Sequence, residues 1–274
     1  MGRKVLFVLV DALNYETAFS AMGFLNLMVE KGSASLIQVD TELPTLSRPL
    51  YETVLTGVDC LIHGICTNQT VRLSSQKSVF QRCREQGRTT GAAAYYWISE
   101  LYNQAPFDCM KHREQHDTEA DIQTGKFYFD DSYPDSHVFA DGEVIRRAMN
   151  PDFLFIHPMG VDFVGHAYGS STKEYRQKVI EIDMMLAGLI PHWIDDGYDV
   201  VVSADHGMDA LGLHNGVEAT ERTVPLFVIS DSVNAGYHKK RMSQLQIAPL
   251  LCWLLGVEKS DEMLSFDLDV FHEG

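Results

Sequence analysis

Ser203-Ala204-Asp205-His206-Gly207-Met208 sets a carboxylate and an imidazole side by side directly after an apolar run, 198–202. Eight residues further on stands His214, within Leu213-His214-Asn215-Gly216. Upstream, Asp162-Phe163-Val164-Gly165-His166 repeats the Asp/His pairing after another apolar run. Asp11 ends the first apolar run of the chain, and Ser47 lies in Leu43-Pro44-Thr45-Leu46-Ser47-Arg48-Pro49. Oxygen and imidazole ligands of this kind suit zinc or manganese. Two such ions can clamp the attacking and leaving oxygens of an in-line phosphoryl displacement. Taken singly the residues have plainer roles: Asp205 and Ser47 suit helix caps, and Asp11 suits the end of a strand. Together they read as a metal site divided among four segments.

Such a site needs a frame that brings distant segments to one edge. Strand-like runs at 4–10, 35–39, 90–96, 153–157, 198–202 and 223–229 alternate with helix-like segments at 16–30, 49–56, 79–86, 142–149, 172–190 and 244–255. That alternation predicts an α/β fold, a mostly parallel sheet sandwiched between helices. Open sheets of this class bind ligands beyond the carboxyl ends of their strands, which is where the Asp/His pairs fall. The pattern weakens from 98 to 136, a polar and acidic stretch that reads as an insertion or lid over the sheet edge. No repeat or linker divides the chain, so 1–274 reads as one catalytic domain.

Composition narrows the function. The formal net charge of -16 argues against nucleic-acid polymers and anionic membranes as partners. No run approaches membrane-spanning length, and the apolar start is too short for a secretion signal. Five cysteines, at 60, 66, 83, 109 and 252, fit no disulfide framework or zinc knuckle. Reduced thiols in a cytoplasmic protein is the expectation.

Val10-Asp11-Ala12-Leu13, Pro44-Thr45-Leu46-Ser47-Arg48-Pro49 leading to Leu55-Thr56-Gly57, His63-Gly64-Ile65, Asp162-Phe163-Val164-Gly165-His166 and Ala204-Asp205-His206-Gly207-Met208 occur in that order. In this the chain resembles the alkaline phosphatase superfamily, most closely its phosphodiesterase and nucleotide pyrophosphatase branch. The resemblance implies an alkaline phosphatase-like fold and two divalent metal ions, zinc first and manganese second. One ion would take Asp162, His166 and His214; the other would take Asp11, Asp205, His206 and the nucleophile oxygen. The nucleophile position falls on Ser47, with Thr45 as runner-up. The implied activity is hydrolysis of a small-molecule phosphate ester, diester or pyrophosphate before monoester, through a phosphoserine. A phosphotransferase and a non-catalytic metal-binding relative are the alternatives. Two departures bear on this choice. Leu50 stands where the branch is expected to carry an asparagine, and the short step from His206 to His214 is more like that of phosphoethanolamine transferases.

Overall fold

The computed structural model describes residues 3–271, which form one mixed sheet flanked by helices. Its strands are β1 (Lys4–Leu9), β2 (Ser35–Asp40), β3 (Thr90–Tyr95), β4 (Glu114–His116), β5 (Thr124–Tyr128), β6 (Phe153–Ile156), β7 (Tyr198–Ser203), β8 (Thr223–Ile229), β9 (Gly236–Tyr237) and β10 (Met242–Ser243). Across the sheet they run β10-β2-β8-β7-β1-β6-β3-β5-β4, with β9 beside β2. The centre is parallel: β1 pairs with β6 and β7, and β3 with β6 and β5. β8 runs antiparallel to β7 and β2, and β4 antiparallel to β5. β1 and β6 read Lys-Val-Leu-Phe-Val-Leu and Phe-Leu-Phe-Ile, buried throughout except at Lys4. Such unbroken apolar runs belong to strands covered on both faces.

The helices are α1 (Tyr15–Ala21), α2 (Gly23–Glu30), α3 (Ser47–Thr56), α4 (Cys60–His63), α5 (Val79–Glu85), α6 (Tyr96–Tyr102), α7 (Cys109–His112), α8 (Asp135–Met149), α9 (Gly160–Tyr168), α10 (Lys173–Asp195), α11 (Ala219–Arg222) and α12 (Ile247–Leu255). The single helix expected over 16–30 is two, broken at Met22. The reason is not local: Asp183 on α10 accepts the N–H groups of Phe24 and Leu25 and so caps a second start. α8 begins at Asp135 rather than at 142. The stretch 98–136, read from sequence as an insertion or lid, carries β4 and β5 and extends the sheet at one side. Ile98, Leu101, Ile122 and Phe127 within it are buried. β4 is the edge, largely exposed and polar, as an edge strand that avoids stray pairing should be. No helix among the described residues is long and apolar enough to cross a membrane.

Register is what prepares the site. Leu9 of β1 pairs with Ser203 of β7, and Val8 with Ile156 of β6. The residues just beyond these strands, Asp11, Asp205 with His206, and His157, therefore leave the sheet together at its carboxyl edge.

Candidate metal centre

Asp11, Asp205 and His206 are fully buried at that edge. His206 donates from Nδ1 to the carbonyl of Gly207 at 2.9 Å, which assigns the ring proton to Nδ1 and leaves Nε2 bare. That nitrogen lies 3.1 Å from Ser47 Oγ, 3.2 Å from Asp205 Oδ2 and 3.6 Å from Asp11 Oδ1. Asp205 spends Oδ1 on the N–H of Ala12, whose φ of 59° marks the left-handed turn the chain makes after Asp11. Asp11 spends Oδ2 on the Tyr51 hydroxyl and on His157 Nε2, the latter at 3.2 Å. His157 accepts the Tyr95 N–H at Nδ1, so its proton sits on Nε2 and points at Asp11.

Asp162 and His166 lie on α9, not in a loop after the strand as their sequence position suggested. Four residues apart on a helix, they share a face. Asp135 accepts the Gly160 N–H at 2.9 Å and so fixes where that helix begins. His166 and His214 donate from Nδ1 to the carbonyls of Gly212 and Thr45 at 2.8 and 2.9 Å. Both again turn a bare Nε2 inward. These two nitrogens are 3.1 Å apart, and they lie 3.4 and 3.6 Å from Asp162 Oδ1. The His206 and His214 rings stack at 3.9 Å between centroids and join the two groups.

The arrangement has acceptors and almost nothing to donate to them. Asp11 Oδ1, Asp162 Oδ1 and Asp205 Oδ2 are buried without a hydrogen-bond partner. These are the carboxylate oxygens nearest the bare imidazole nitrogens. Two imidazole lone pairs at 3.1 Å and three unpaired carboxylate oxygens repel one another unless cations lie among them. Protonation of the rings is an inferior remedy. Burial above all, with His214 beside it, pushes His206 down to about 3, and burial also lowers His214. Burial raises Asp205 and Asp162 well above the usual carboxylate range, and the charge of Asp11 adds to it in both. Burial would raise Asp11 too, but its bond from His157, the facing rings of His206 and His157, and Tyr51 hold it at about 2. Asp11, Asp205 and His206, and Asp162, His206 and His214, each bring ligand atoms within 4.8 Å of one another. The donor set therefore fits two divalent ions, with His206 between them.

Ser47 opens α3 and is 6% exposed. Thr45 is fully buried, and its hydroxyl donates to the Gly216 carbonyl at 3.0 Å, so it has no free path to a substrate. Of the first-turn N–H groups in α3, that of Arg48 goes to Asn68 Oδ1 and that of Leu50 to the Leu46 carbonyl, while Pro49 has none. Only the Ser47 N–H has no protein acceptor among the described residues. Leu50 points into the core. Asn68, from a separate loop, accepts the N–H of Arg48, the residue after Ser47, at 3.0 Å. His157, which the sequence offers either as a site-lining or as a strand-end histidine, bonds to Asp11, whereas neither Asn68 nor Tyr51 stands out from sequence as a site residue. Tyr51 lies one helical turn after Ser47, and that spacing was the available signal. His63 is buried and bonded to Thr53 and to the Ile65 N–H.

A model of the type I phosphodiesterase/nucleotide pyrophosphatase family matches residues 5–242. The catalytic subunit of Homo sapiens GPI ethanolamine phosphate transferase 2 is 24% identical over 269 residues, covering 93% of this chain and 26% of that protein. Saccharomyces cerevisiae GPI ethanolamine phosphate transferase 2 is 25% identical over 243 residues, covering 83% and 28%. The chain thus spans about a quarter of the length of these relatives. Among solved structures, murine ectonucleotide pyrophosphatase/phosphodiesterase 5 has a TM-score of 0.76 at 14% identity and 97% coverage of both chains. The alkaline phosphatase PafA has a TM-score of 0.68 at 10% identity, covering 98% of this chain and 99% of its own.

Proposed function

The chain belongs to the type I phosphodiesterase/nucleotide pyrophosphatase family of the alkaline phosphatase superfamily, and from that premise we propose that it transfers a phosphoryl group between alcohols through Ser47. The observation that carries this reading is the convergence of three bare imidazole nitrogens and three unpartnered carboxylate oxygens beside the Ser47 hydroxyl. Asp11, Asp205 and His206 would hold one zinc or manganese ion, and Asp162, His166 and His214 the other. Bound there, the ions would lower the pKa of an attacking hydroxyl and offset charge on the phosphoryl oxygens.

The remaining work belongs to the chain. Ser47 Oγ attacks phosphorus, the bond to the leaving oxygen breaks, and the phosphoryl group stays as an ester on Ser47. An acceptor hydroxyl then attacks the same phosphorus and Ser47 Oγ departs. Each attacking hydroxyl gives up its proton, and each departing oxygen takes one up. The Ser47 N–H, left without a protein acceptor among the described residues, supplies a donor for the phosphoryl oxygens. Asp11 keeps its orientation because Tyr51 and His157 occupy its second oxygen.

An alcohol acceptor is favoured because the relatives that match most of this chain are named as ethanolamine phosphate transferases. Hydrolysis, with water as acceptor, is the second reading, favoured by the family's own description as phosphodiesterase. The test is to supply bis-nitrophenyl phosphate with zinc or manganese, with and without an added alcohol. Transfer yields the mixed diester of that alcohol; hydrolysis yields nitrophenyl phosphate alone. Metal-dependent turnover should vanish in Ser47→Ala while metal content stays near wild type. Undiminished turnover in that variant, or none in the native protein with diester or monoester, would overturn the reading.

A further inference from the structure

We propose that Glu221 is a positioning residue that holds both halves of the metal centre at once. This rests on the metal reading above but concerns a group that touches neither ion nor substrate. Glu221 sits on the one-turn helix α11 and is 3% exposed. Its Oε1 accepts the N–H groups of Asn215 and Gly216 at 3.2 and 3.0 Å, and its Oε2 accepts that of Glu218 at 2.9 Å. The carboxylate is thus committed to the loop that carries His214. Its backbone carbonyl accepts the Gly207 N–H at 2.7 Å, and Gly207 follows His206. One residue therefore grips the segment beside each histidine, with its side chain on one and its main chain on the other.

Close approach explains the glycines of both motifs. A Cβ on Gly207 would lie 2.0 Å from the Thr220 carbonyl oxygen, and one on Gly216 would lie 2.5 Å from Glu221 Oε2. Both segments are pressed onto the same turn too tightly for a side chain. The loop before His214 is tied by Asp209, which accepts the Leu211 and Leu213 N–H groups, and by His166 at the Gly212 carbonyl. Leu211, Leu213 and Val217 stand 82%, 54% and 72% exposed, so past His214 the restraint falls to Thr45 and Glu221. Bonds from backbone N–H groups to a carboxylate are about twice as strong as neutral ones, which suits a clamp on a segment whose apolar side chains face solvent.

The test compares Glu221→Ala, Glu221→Gln and a control, Ile182→Val, which trims a buried residue of α10 away from the site. Zinc is titrated into each metal-free protein by calorimetry with chelator competition, and the Tm of each metal-free form is recorded. Glu221→Ala removes the side-chain grip and keeps the main-chain bond to Gly207. It is therefore expected to weaken zinc in the half that takes His214 by about 10- to 100-fold, the usual effect of losing an outer-shell partner, and to change the His206 half less. Glu221→Gln, which keeps one oxygen for Asn215 and Gly216, should recover most of that affinity. Ile182→Val should lower Tm and leave zinc binding unchanged. Wild-type affinity in Glu221→Ala, a loss confined to the half that takes Asp11 and Asp205, or an equal loss in Ile182→Val would overturn the proposal while leaving the metal reading intact. A wild-type protein that binds no zinc would overturn both.

Discussion

The two halves of the centre are built from the same residue types in opposite surroundings. Asp11, Asp205 and His206 have fully buried side chains, whereas those of Asp162, His166 and His214 are 13%, 47% and 7% exposed. The inner three stand directly after neighbouring parallel strands, so sheet register and core packing fix them. The outer three stand on a helix and a long loop, and discrete hydrogen bonds fix them: Asp135 at the start of α9, the carbonyls of Gly212 and Thr45, and the Glu221 clamp. His166 is the most exposed of the six, so water reaches its position more readily than any inner one. The division suits a reaction in which one group must be held rigidly against the nucleophile while another meets the arriving substrate.

The sharpest way to break this comparison is to remove one ligand from each half. Asp205→Asn should empty the inner half and cut turnover by more than the about 10- to 100-fold that loss of an outer-shell partner costs. His166→Ala should cost less, because water can enter at its exposed position. It should show as one zinc that a chelator strips early, followed by metal analysis. If His166→Ala empties both halves, or costs more than Asp205→Asn, burial does not set the rank. A smaller effect is expected one step out from the inner half. Tyr51→Phe leaves Asp11 Oδ2 with His157 alone, and zinc affinity should fall about 10-fold, the low end for an outer-shell partner, with Tm little changed. No change in affinity would mean that packing alone orients Asp11.

How much of the centre is legible in the sequence runs along the same inner and outer division. The strand ends carrying Asp11 and Asp205-His206 were legible because unbroken apolar runs announce buried parallel strands, and the residues just past such strands gather at one edge. The helix carrying Asp162 and His166 was not, because nine residues rich in glycine and aromatics give little periodic signal. Its start depends on Asp135, remote in the chain. Asn68 reaches the Arg48 N–H from a different loop, and Glu221 reaches the His214 loop from a single turn of helix; neither long-range placement can be read from the chain around it. The edge strand β4 was hidden for another reason, since a solvent-facing edge is polar by necessity and resembles a loop. Tertiary hydrogen bonds, not propensity, decided each of these.

The least dramatic prediction tests whether the inner carboxylates are strained without their cation. Burial raises Asp205 well above its ordinary 3.8, with the charge of Asp11 adding to it. A group whose folded pKa is raised supports the fold fully below its unfolded pKa, and that support is lost as pH rises through the folded value. In metal-free protein the charged Asp205 side chain should therefore weigh against folding at neutral and alkaline pH. Asparagine keeps an oxygen for the Ala12 N–H and removes the charge. At pH 4 the metal-free Tm values of Asp205→Asn and wild type should nearly coincide, and by pH 8 the variant should be the higher. Each kcal/mol relieved should appear as about 2–4 °C in a domain of this size. His206 acts at the other end of the scale: its pKa, lowered to about 3, favours the fold above 6.5, and that support drains away on acidification in both proteins alike. The two proteins should thus share a decline on the acid side and part only above about pH 4. Zinc should raise the Tm of wild type far more than that of the variant. A variant that melts below wild type at pH 8 without metal would mean that the Asp205 charge is already compensated within the protein, and its unpartnered oxygen would then call for no cation.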